Sequence, residues 1–365
     1  MALKCGIVGL PNVGKSTLFN CLSKAKAQAA NFPFCTIEPN VGIITVPDER
    51  LEKLAELVNP EKIQATTIEI VDIAGLVKGA SKGEGLGNKF LANIRECNAI
   101  IHVLRCFDDD NIVHVDGRVN PVRDKETIDF ELQLKDLEAI EKKREKNQKI
   151  AKSGDKEAIK IVGILDKYID HLKKGKPVRS LEVTDTEKEV IADLHLLTHK
   201  PVLYVCNVDE SSAKDSNKYV HQVNELVKTE DAEILLIATS IEAEIAELDD
   251  LEEQALFLSE MGLEEPGVHH LIQATYRLLN LQTYFTAGVK EVRAWTIEKG
   301  MKAPQAAGVI HSDFEKGFIR AEVISYNNFV ELGSEQACRD SGKLSVEGKE
   351  YVVKDGDVMH FRFNV

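Results

Sequence analysis

The phosphate-binding pattern GxxxxGK[ST] is matched in full by residues 9–16, Gly-Leu-Pro-Asn-Val-Gly-Lys-Ser. The segment follows an apolar run typical of a buried strand and precedes a helical pattern. In that context, glycines let backbone N–H groups close around the phosphates of a nucleoside triphosphate. Lys15 would pair with the β- and γ-phosphate oxygens, and Ser16 would bind Mg²⁺. The segment therefore predicts a nucleoside-triphosphate site.

A second motif, Asp-x-x-Gly, places Asp72 and Gly75 at the end of another predicted strand. An acid there can hold the Mg²⁺ shell through water, and the glycine N–H can sense a γ-phosphate. The pattern alone is also common in turns, but its position after a phosphate loop favours the functional interpretation. Thr36 lies between the two motifs, where a switch threonine could join the Mg²⁺ shell; a plain loop threonine is the alternative.

A third motif, NVDE, ends a later apolar strand and contains Asn207, Val208 and Glu210. GTPases carry Asn-Lys-x-Asp at this point, where the Asp accepts the guanine N1–H and N2 amine. Glu210 is one methylene longer than that Asp, and Val208 replaces the lysine stem that packs on the base. Such a mismatch can remove guanine selectivity, whereas Asn207 could still reach the N7/N6 edge of adenine. A simple strand-end turn is the alternative.

These motifs need a scaffold that brings strand ends together. Short apolar runs separated by helical patterns indicate a doubly wound α/β sheet. The predicted strands are LKCGIVGL (3–10), TTIEIVDIAG (66–75), AIIHVLRCF (99–107), PVLYVCNV (201–208) and EILLIATS (233–240).

Two regions depart from this alternation. Apolar residues recur at helical spacing through 127–172, and a turn within 147–155 could close a helical hairpin there. After about residue 280, short strand-like segments between Gly and Asp turns predict a small, mostly β module. We therefore expect a nucleotide domain at 1–123 and 201–280, a helical insertion at 124–200 and a separate module at 281–365.

Composition restricts the class of protein further. The chain has 365 residues, 43% of them apolar and 29% charged, which favours two or three folded domains. No stretch approaches the ~20 apolar residues of a membrane helix, and the early phosphate loop leaves no room for a signal peptide. Seven scattered cysteines form no CxxC pair, so neither a disulfide framework nor a zinc site is predicted. We expect a cytoplasmic protein that makes no membrane contact.

The net charge of −14 is unevenly distributed, because residues 201–280 carry 17 acidic and four basic side chains. Local basic clusters occur in KKREKNQKIAK (142–152) and KKGKPVR (173–179). These lysines could contact RNA phosphates, although a solvated helix face is the alternative.

Taken together, the motifs resemble the YchF subfamily of Obg-type translation-factor P-loop NTPases. The resemblance covers essentially the whole chain and rests on GLPNVGKST, NFPFCTIEPNVG, DIAGLVKGASKGEGLGN, NVDE and the β-rich tail. It implies an α/β fold: a Ras-like P-loop NTPase domain with a helical coiled-coil insertion, plus a C-terminal β-grasp TGS domain. It also implies hydrolysis of ATP in preference to GTP and binding to the ribosome.

The resemblance assigns roles to individual residues of this chain. Ser16 and Thr36 would bind Mg²⁺, and the segment from Asn207 to Glu210 would hold adenine, although the family usually has Met or Leu where Val208 stands. The phosphates would be held by Asn12, Val13, Gly14, Lys15, Ser16 and Thr17. Asn12 has a second interpretation, since an Asn here in related NTPases can help coordinate K⁺; an ordinary polar loop residue is equally consistent.

The group that positions the attacking water is less evident. Leu76 follows Gly75, where many GTPases carry a catalytic Gln, and a leucine cannot orient water. His114 matches a histidine proposed for that role in the family, and a surface loop histidine is the alternative.

We therefore expect a slow ATPase that releases ADP and phosphate and whose nucleotide state gates its association with the ribosome. The expected partners are ATP, the large subunit and the assembled ribosome, with contact to rRNA. Two alternatives stay open: an Obg-type GTPase, and a nucleotide-sensing RNA-binding module with negligible hydrolysis, which Leu76 supports.

Overall fold

The computed structural model describes residues 3–29, 41–73, 86–228, 230, 232–248 and 250–364. The chain divides into two compact units. The first unit consists of Met1–Ile44 and Glu69–Leu271, and the second of Thr45–Ile68 and Ile272–Val365. The domain boundaries drawn from the sequence stay predictions, and the two units differ from them by placing residues 45–68 with the C-terminal residues.

The described strands form two six-stranded sheets. In chain order they are β1 Lys4–Val8, β2 Val41–Thr45, β3 Ile63–Gln64, β4 Thr67–Asp72, β5 Ala99–Arg105, β6 Val202–Asn207, β7 Ile234–Ile237, β8 Leu281–Ala287, β9 Val292–Glu298, β10 Phe318–Ser325, β11 Ser345–Glu347 and β12 Asp357–Phe363.

The described helices are α1 Lys15–Ala29, α2 Glu49–Val58, α3 Leu86–Glu96, α4 Pro121–Ala151, α5 Lys156–Lys173, α6 Asp185–Ile191, α7 Lys218–Val227, α8 Thr239–Ile245, α9 Leu251–Met261, α10 Gly267–Leu278, α11 Ala303–Ile310, α12 Ser312–Lys316, α13 Tyr326–Leu332 and α14 Glu335–Asp340. Within the described ranges, no helix combines the length and apolar content needed to cross a membrane.

The sheet of the first unit has the strand order β2-β4-β1-β5-β6-β7. Strands β4, β1, β5, β6 and β7 are parallel neighbours in that order. All residues of β5 and β6 are buried, as expected for central parallel strands covered on both faces. The register pairs Ile7 with Asp72 and Arg105 with Asn207, so the carboxyl ends of these strands meet at one edge. All five predicted strands are present, each slightly shorter than predicted.

The predicted helical hairpin is formed by α4 and α5. Asn120 caps α4 by accepting a hydrogen bond from the Arg123 N–H, and Asp155 caps α5 by accepting one from the Ala158 N–H. Ion pairs between Lys173 and Glu141 and between Arg144 and Asp166 show that the two helices are antiparallel. The turn is confined to residues 152–155. An apolar core joins them, formed by Ile140, Leu165, Tyr168, Ile169 and Leu172.

The base of this hairpin is fixed by a buried carboxylate. Asp136 accepts hydrogen bonds from the Leu197 N–H at 2.8 Å, the Thr198 N–H at 2.7 Å and the Thr198 hydroxyl at 2.6 Å. Burial raises the pKa of Asp136, and these donors oppose the shift. The carboxylate therefore ties α4 to the segment that leads into β6.

The sheet of the second unit has the order β11-β10-β12-β8-β9-β3. The central pair, β12 and β8, is parallel, and each is antiparallel to its other neighbour, β10 and β9. Strand β3 pairs with β9, and Leu51 and Leu54 of α2 lie in a core with Phe285 and Val292. These contacts explain why residues 45–68 belong to this unit. The four helices α11–α14 were not evident from the strand-like pattern of the sequence.

Candidate functional site

The phosphate loop connects β1 to α1. Gly14 has a positive φ of 99°, and a Cβ there would clash with the side-chain amide of Asn207, so only glycine fits. The Lys15 ammonium is buried and donates to the Leu10 carbonyl at 2.7 Å. Burial lowers the pKa of Lys15, and the nearby Asp72 carboxylate partly opposes that effect. The loop thus holds a cation among its own backbone groups, as phosphate binding requires.

Beside the loop lies an arrangement of oxygen atoms that fits Mg²⁺. The Ser16 hydroxyl donates to Asp72 Oδ2 at 3.1 Å, while Asp72 Oδ1 is buried and has no hydrogen-bond partner among the described residues. Magnesium prefers such hard oxygen ligands and needs few from the protein, because it keeps several waters. Ser16 and Asp72 can therefore hold this ion. Thr36 and Gly75, predicted to act with them, lie outside the described residues, as does Leu76.

Asn207 ties the phosphate loop to the sheet. Its side chain is only 2% exposed. Nδ2 donates to the Val13 carbonyl at 2.9 Å, and Oδ1 accepts from the Thr239 N–H at 3.1 Å. The predicted adenine ligand therefore already bonds to two other segments of the protein, and one amide hydrogen is left for a further partner.

A cavity of about 700 Å³ opens beside Asn207 and extends the site away from the phosphate loop. Residues of two strand-end segments, 107–112 and 207–211, contribute to its lining. Its lining residues are Thr17, Phe107, Asp108, Asp109, Ile112, Asn207, Val208, Asp209, Glu210, Ser211, Thr239 and Ser240. The volume and position suit the base and ribose of a nucleotide whose phosphates lie on the loop.

The NVDE segment forms the second wall of this cavity. Val208 is buried, and its N–H donates to the Ile237 carbonyl at 3.0 Å. Asp209 accepts from the Ser211 hydroxyl at 2.6 Å and the Ser212 N–H at 2.9 Å. These bonds, that of Ser211 first, lower the pKa of Asp209. Because Asp209 is used in this local turn, the exposed Glu210 is the carboxylate that remains available at the cavity wall.

His114 lies in the loop between β5 and α4, where its side chain is buried and not exposed at the surface. Its Nε2 lies 2.9 Å from Asp124 Oδ2, and its Nδ1 accepts the Asp116 N–H at 3.1 Å. Since Nδ1 is an acceptor, Nε2 carries the proton and donates to Asp124. Burial raises the pKa of Asp124, and the hydrogen bond from His114 opposes that rise. Both ring nitrogens therefore bond to the protein in this structure.

The segment that contains His114 is nevertheless attached to the phosphate loop. Asn12, with a positive φ of 62°, donates its side-chain N–H to the Val113 carbonyl at 3.0 Å. The structure thus brings Asn12, Ser16, Asp72 and Asn207 into one connected site. Sequence reasoning did not identify Thr239 or the 107–112 wall. The available signal was their position directly after the apolar strands β5 and β7, because ligands of parallel sheets bind at carboxyl strand ends.

Comparisons with known proteins extend over the whole chain. A model of the C-terminal region of YchF GTPases, described as a protein of unknown function, matches residues 281–364, and a model of a 50S ribosome-binding GTPase matches residues 4–167. Proteins named ribosome-binding ATPase YchF from Haemophilus ducreyi and Bacillus subtilis are 58% and 56% identical, with 100% of each chain covered. A solved structure of the Schizosaccharomyces pombe YchF GTPase is 39% identical, with a TM-score of 0.89, and the match covers 99% of this chain and 97% of that one.

Proposed function

The chain belongs to the YchF family, and on that premise we propose that it is a Mg²⁺-dependent ATPase that binds ribosomes. The observation that carries the proposal is the meeting of three groups at one edge of the first sheet. Lys15 lies within the phosphate loop, and Asp72 contacts Ser16. Asn207 donates a hydrogen bond to the Val13 carbonyl of the same loop. The names of the full-length relatives supply the substrate and the partner.

Binding of the triphosphate would use the loop from Asn12 to Thr17. Lys15 would turn from the Leu10 carbonyl to the β- and γ-phosphate oxygens, which are stronger acceptors. Ser16 and Asp72 would hold Mg²⁺, with Thr36 added from the preceding segment and Gly75 at the γ-phosphate. When bound, Mg²⁺ neutralises charge on the transferring phosphate. The alternative role of Asn12 at a K⁺ ion stays a prediction.

The preference for adenine or guanine is inferred from residues 207–211, which line the cavity. The names of the relatives differ here, since some are called GTPases and others ATPases. Val208 lacks the long side chain of the lysine that GTPases carry at this position. Glu210 is exposed, and its carboxylate lies one methylene further from the backbone than that of the Asp that binds guanine in GTPases. The spare amide hydrogen of Asn207 can donate to N7, which adenine and guanine share. The preference for ATP over GTP therefore rests on Val208 and Glu210, which remove the contacts that GTPases make to guanine.

The water-activating role assigned to His114 requires a local rearrangement. Its Nε2 must leave Asp124 before it can face an attacking water, and the attachment of Asn12 to Val113 places that change within reach of the phosphate loop. This arrangement would make intrinsic hydrolysis slow. The buried position of His114 equally supports the second candidate, a nucleotide sensor with negligible hydrolysis.

Ribosome contact is assigned to the tip of the α4–α5 hairpin. Much of the predicted basic cluster is neutralised, because Lys142 pairs with Glu138, Lys143 with Asp193 and Arg144 with Asp166. Five exposed lysines nearer the tip form no ion pair with any described residue. They are Lys146, Lys149, Lys152, Lys156 and Lys160. Unpaired lysines at a projecting tip suit contact with rRNA phosphates.

The remaining assignments rest on the family. Residues 281–365 would form the TGS domain and add a second ribosome contact, and the nucleotide state would gate association. Because its partner is the ribosome, the protein would act in the cytoplasm, on the large subunit and the assembled particle.

Turnover and affinity of the purified full-length protein test the enzymatic part. We expect ATP to bind more tightly than GTP and to release phosphate slowly, and Lys15→Ala to lose nucleotide binding without unfolding. Binding of GTP about tenfold tighter than ATP, a difference of about 1.4 kcal/mol, would instead support an Obg-type GTPase. ATP binding without phosphate release, even with ribosomes present, would support the sensing module.

Co-sedimentation with ribosomes across a salt series tests the hairpin tip. We expect the triple change Lys149→Glu, Lys152→Glu and Lys156→Glu to weaken association and to flatten its salt dependence, because each lost phosphate contact removes a released counterion. ATP turnover without ribosomes should not change.

A matched control carries the same charge change on lysines already paired with a carboxylate three residues away in the sequence. Those are Lys53, Lys188 and Lys228. If both triple variants weaken association equally, the effect comes from net charge, and the tip has no specific role.

A further inference from the structure

Arg105 is a buried cation at the end of β5. Its side chain is 1% exposed, yet it makes three hydrogen bonds to backbone carbonyls of the segment that follows. Nε donates to Phe107 O at 3.2 Å, Nη1 to Ile112 O at 2.9 Å and Nη2 to Asp109 O at 3.0 Å. One guanidinium therefore donates hydrogen bonds to three carbonyls within a segment of six residues.

No carboxylate among the described residues forms an ion pair with Arg105, which is unusual for a buried charge. The guanidinium instead lies 4.7 Å from the centre of the Phe107 ring, within the range of a cation–π contact. Three carbonyls and one aromatic ring thus take the place of a carboxylate counter-ion. Because those groups belong to residues 107–112, the backbone conformation of this segment depends on Arg105. We call these residues the Arg105 loop.

The Arg105 loop forms one wall of the 700 Å³ cavity. Phe107, Asp108, Asp109 and Ile112 all line it, together with residues of the NVDE segment. Arg105 itself does not line the cavity. Any effect of Arg105 on a ligand there must therefore act through the loop.

We propose that Arg105 is the positioning residue that sets the shape of the base-binding end of the site, and with it the discrimination between bases. The inference rests on the proposed function, since it requires the base of the nucleotide to occupy this cavity. The phosphate loop, with Lys15 and Ser16, is built from other residues, and its bond to this segment is the one from Asn12 to Val113, just beyond the Arg105 loop. Arg105 should consequently affect the base and ribose much more than the bare triphosphate.

The geometry requires an arginine. Its planar fork presents donors in several fixed directions, and here all three nitrogens are used by different carbonyls. A lysine keeps the charge but presents it as a single point, which cannot reach three carbonyls spread around the fork. A methionine keeps the apolar stem and leaves all three carbonyls without this donor.

Binding measurements on the full-length protein test the proposal with Mg²⁺ and three probes: ATP, GTP and inorganic tripolyphosphate. For Arg105→Met we expect ATP affinity to fall about tenfold or more, equivalent to about 1.4 kcal/mol, and tripolyphosphate affinity to fall much less. The ratio of the two nucleotide affinities should move towards one. Arg105→Lys should fall between the wild type and Arg105→Met.

Arg179→Met is the matched control. Arg179 is also largely buried in the first unit, but it bonds to Glu230 Oε2 at 2.9 Å and does not line the cavity. This variant should lose stability while keeping the wild-type ratio of ATP to GTP affinity. If Arg105→Met does not fold, the same affinity measurements on Arg105→Lys test the proposal, because that variant retains the buried charge.

The inference is overturned if the Arg105 variants lose ATP and tripolyphosphate affinity by the same factor, or if their base ratio equals that of Arg179→Met. The wild-type ratio alone reports on the proposed ATP preference. A wild type that prefers GTP would refute that preference, yet the change from wild type to Arg105→Met would still test the positioning role.

Discussion

Replacement of Asn207 by Ala should detach the phosphate loop from the sheet. The side chain is buried and bonds to Val13 O and to the Thr239 N–H. Each buried partner left unpaired costs ~1–3 kcal/mol, so the two together cost about 2–6 kcal/mol. Because Asn207 and Thr239 border the open cavity, water can replace part of the lost bonding, and we expect about 2–4 kcal/mol. That is a large share of the ~5–15 kcal/mol by which a protein is typically stable.

Urea unfolding followed by circular dichroism measures the loss of stability, and calorimetric titration measures the affinities for ATP and tripolyphosphate. Since Asn207 supports the loop that holds the phosphates, both affinities should fall, and ATP affinity should fall further because the bond to the base is also lost. Asn207→Asp should lower them further, because a carboxylate oxygen would then face the Val13 carbonyl and lie near the phosphates.

Asn98→Ala is the control for this experiment. Asn98 precedes β5, at the opposite end of that strand from the site, and accepts one hydrogen bond from the Lys4 N–H at 2.9 Å. Its loss should cost about 0.5–1.5 kcal/mol and leave both affinities unchanged. The reasoning is refuted if Asn207→Ala weakens only ATP and leaves stability and tripolyphosphate affinity intact. Asn207 would then contact only the base of the nucleotide and would not hold the phosphate loop to the sheet.

Three further predictions concern other parts of the first unit. His114→Ala should cut phosphate release while leaving ATP affinity nearly unchanged; equal turnover of variant and wild type, measured by phosphate release, would exclude a catalytic role. The double change Val208→Lys with Glu210→Asp should shift the measured ATP-to-GTP affinity ratio towards GTP, and an unchanged ratio would place base selection elsewhere. Burial, with help from nearby Lys125 and Arg179, lowers the pKa of His102 to about 3. The unfolded chain therefore binds the proton first, and stability present above the ordinary pKa of ~6.5 is lost as the pH falls towards 3. At ~1.36 kcal/mol per pH unit, His102 should contribute about 2 kcal/mol of loss between pH 7 and 5, and urea unfolding should find that loss absent in His102→Leu.

The loop between β1 and α1 was predictable because its signals are local. Gly14, Lys15 and Ser16 are consecutive, and the backbone conformation that requires glycine is a property of the loop itself. The convergence of Asp72 and Asn207 on that loop was also predictable, since both residues end apolar runs that indicate parallel strands. The alternation of strands and helices was enough to place these residues at one edge.

Other features depend on partners distant in sequence. The pairing of Lys143 with Asp193 neutralises a lysine that the local pattern presents as a free charge. The buried His114 bonds to Asp124, which belongs to the next helix. The sequence shows where the basic residues and the histidine lie, but it does not show which carboxylates the fold places next to them. These contacts could therefore be identified only from the structure.

The composition of the second unit has a consequence for the order of synthesis. Strand β3 ends at Gln64 and pairs with β9, which begins at Val292. At ~5–20 residues per second, the ribosome needs on the order of tens of seconds to make the intervening chain. During that time Leu51 and Leu54 lack the core that Phe285 and Val292 later complete. The nascent chain thus carries an unfinished apolar helix while the residues of the nucleotide site are still being synthesised, and we expect that interval to be when the growing polypeptide depends most on chaperones.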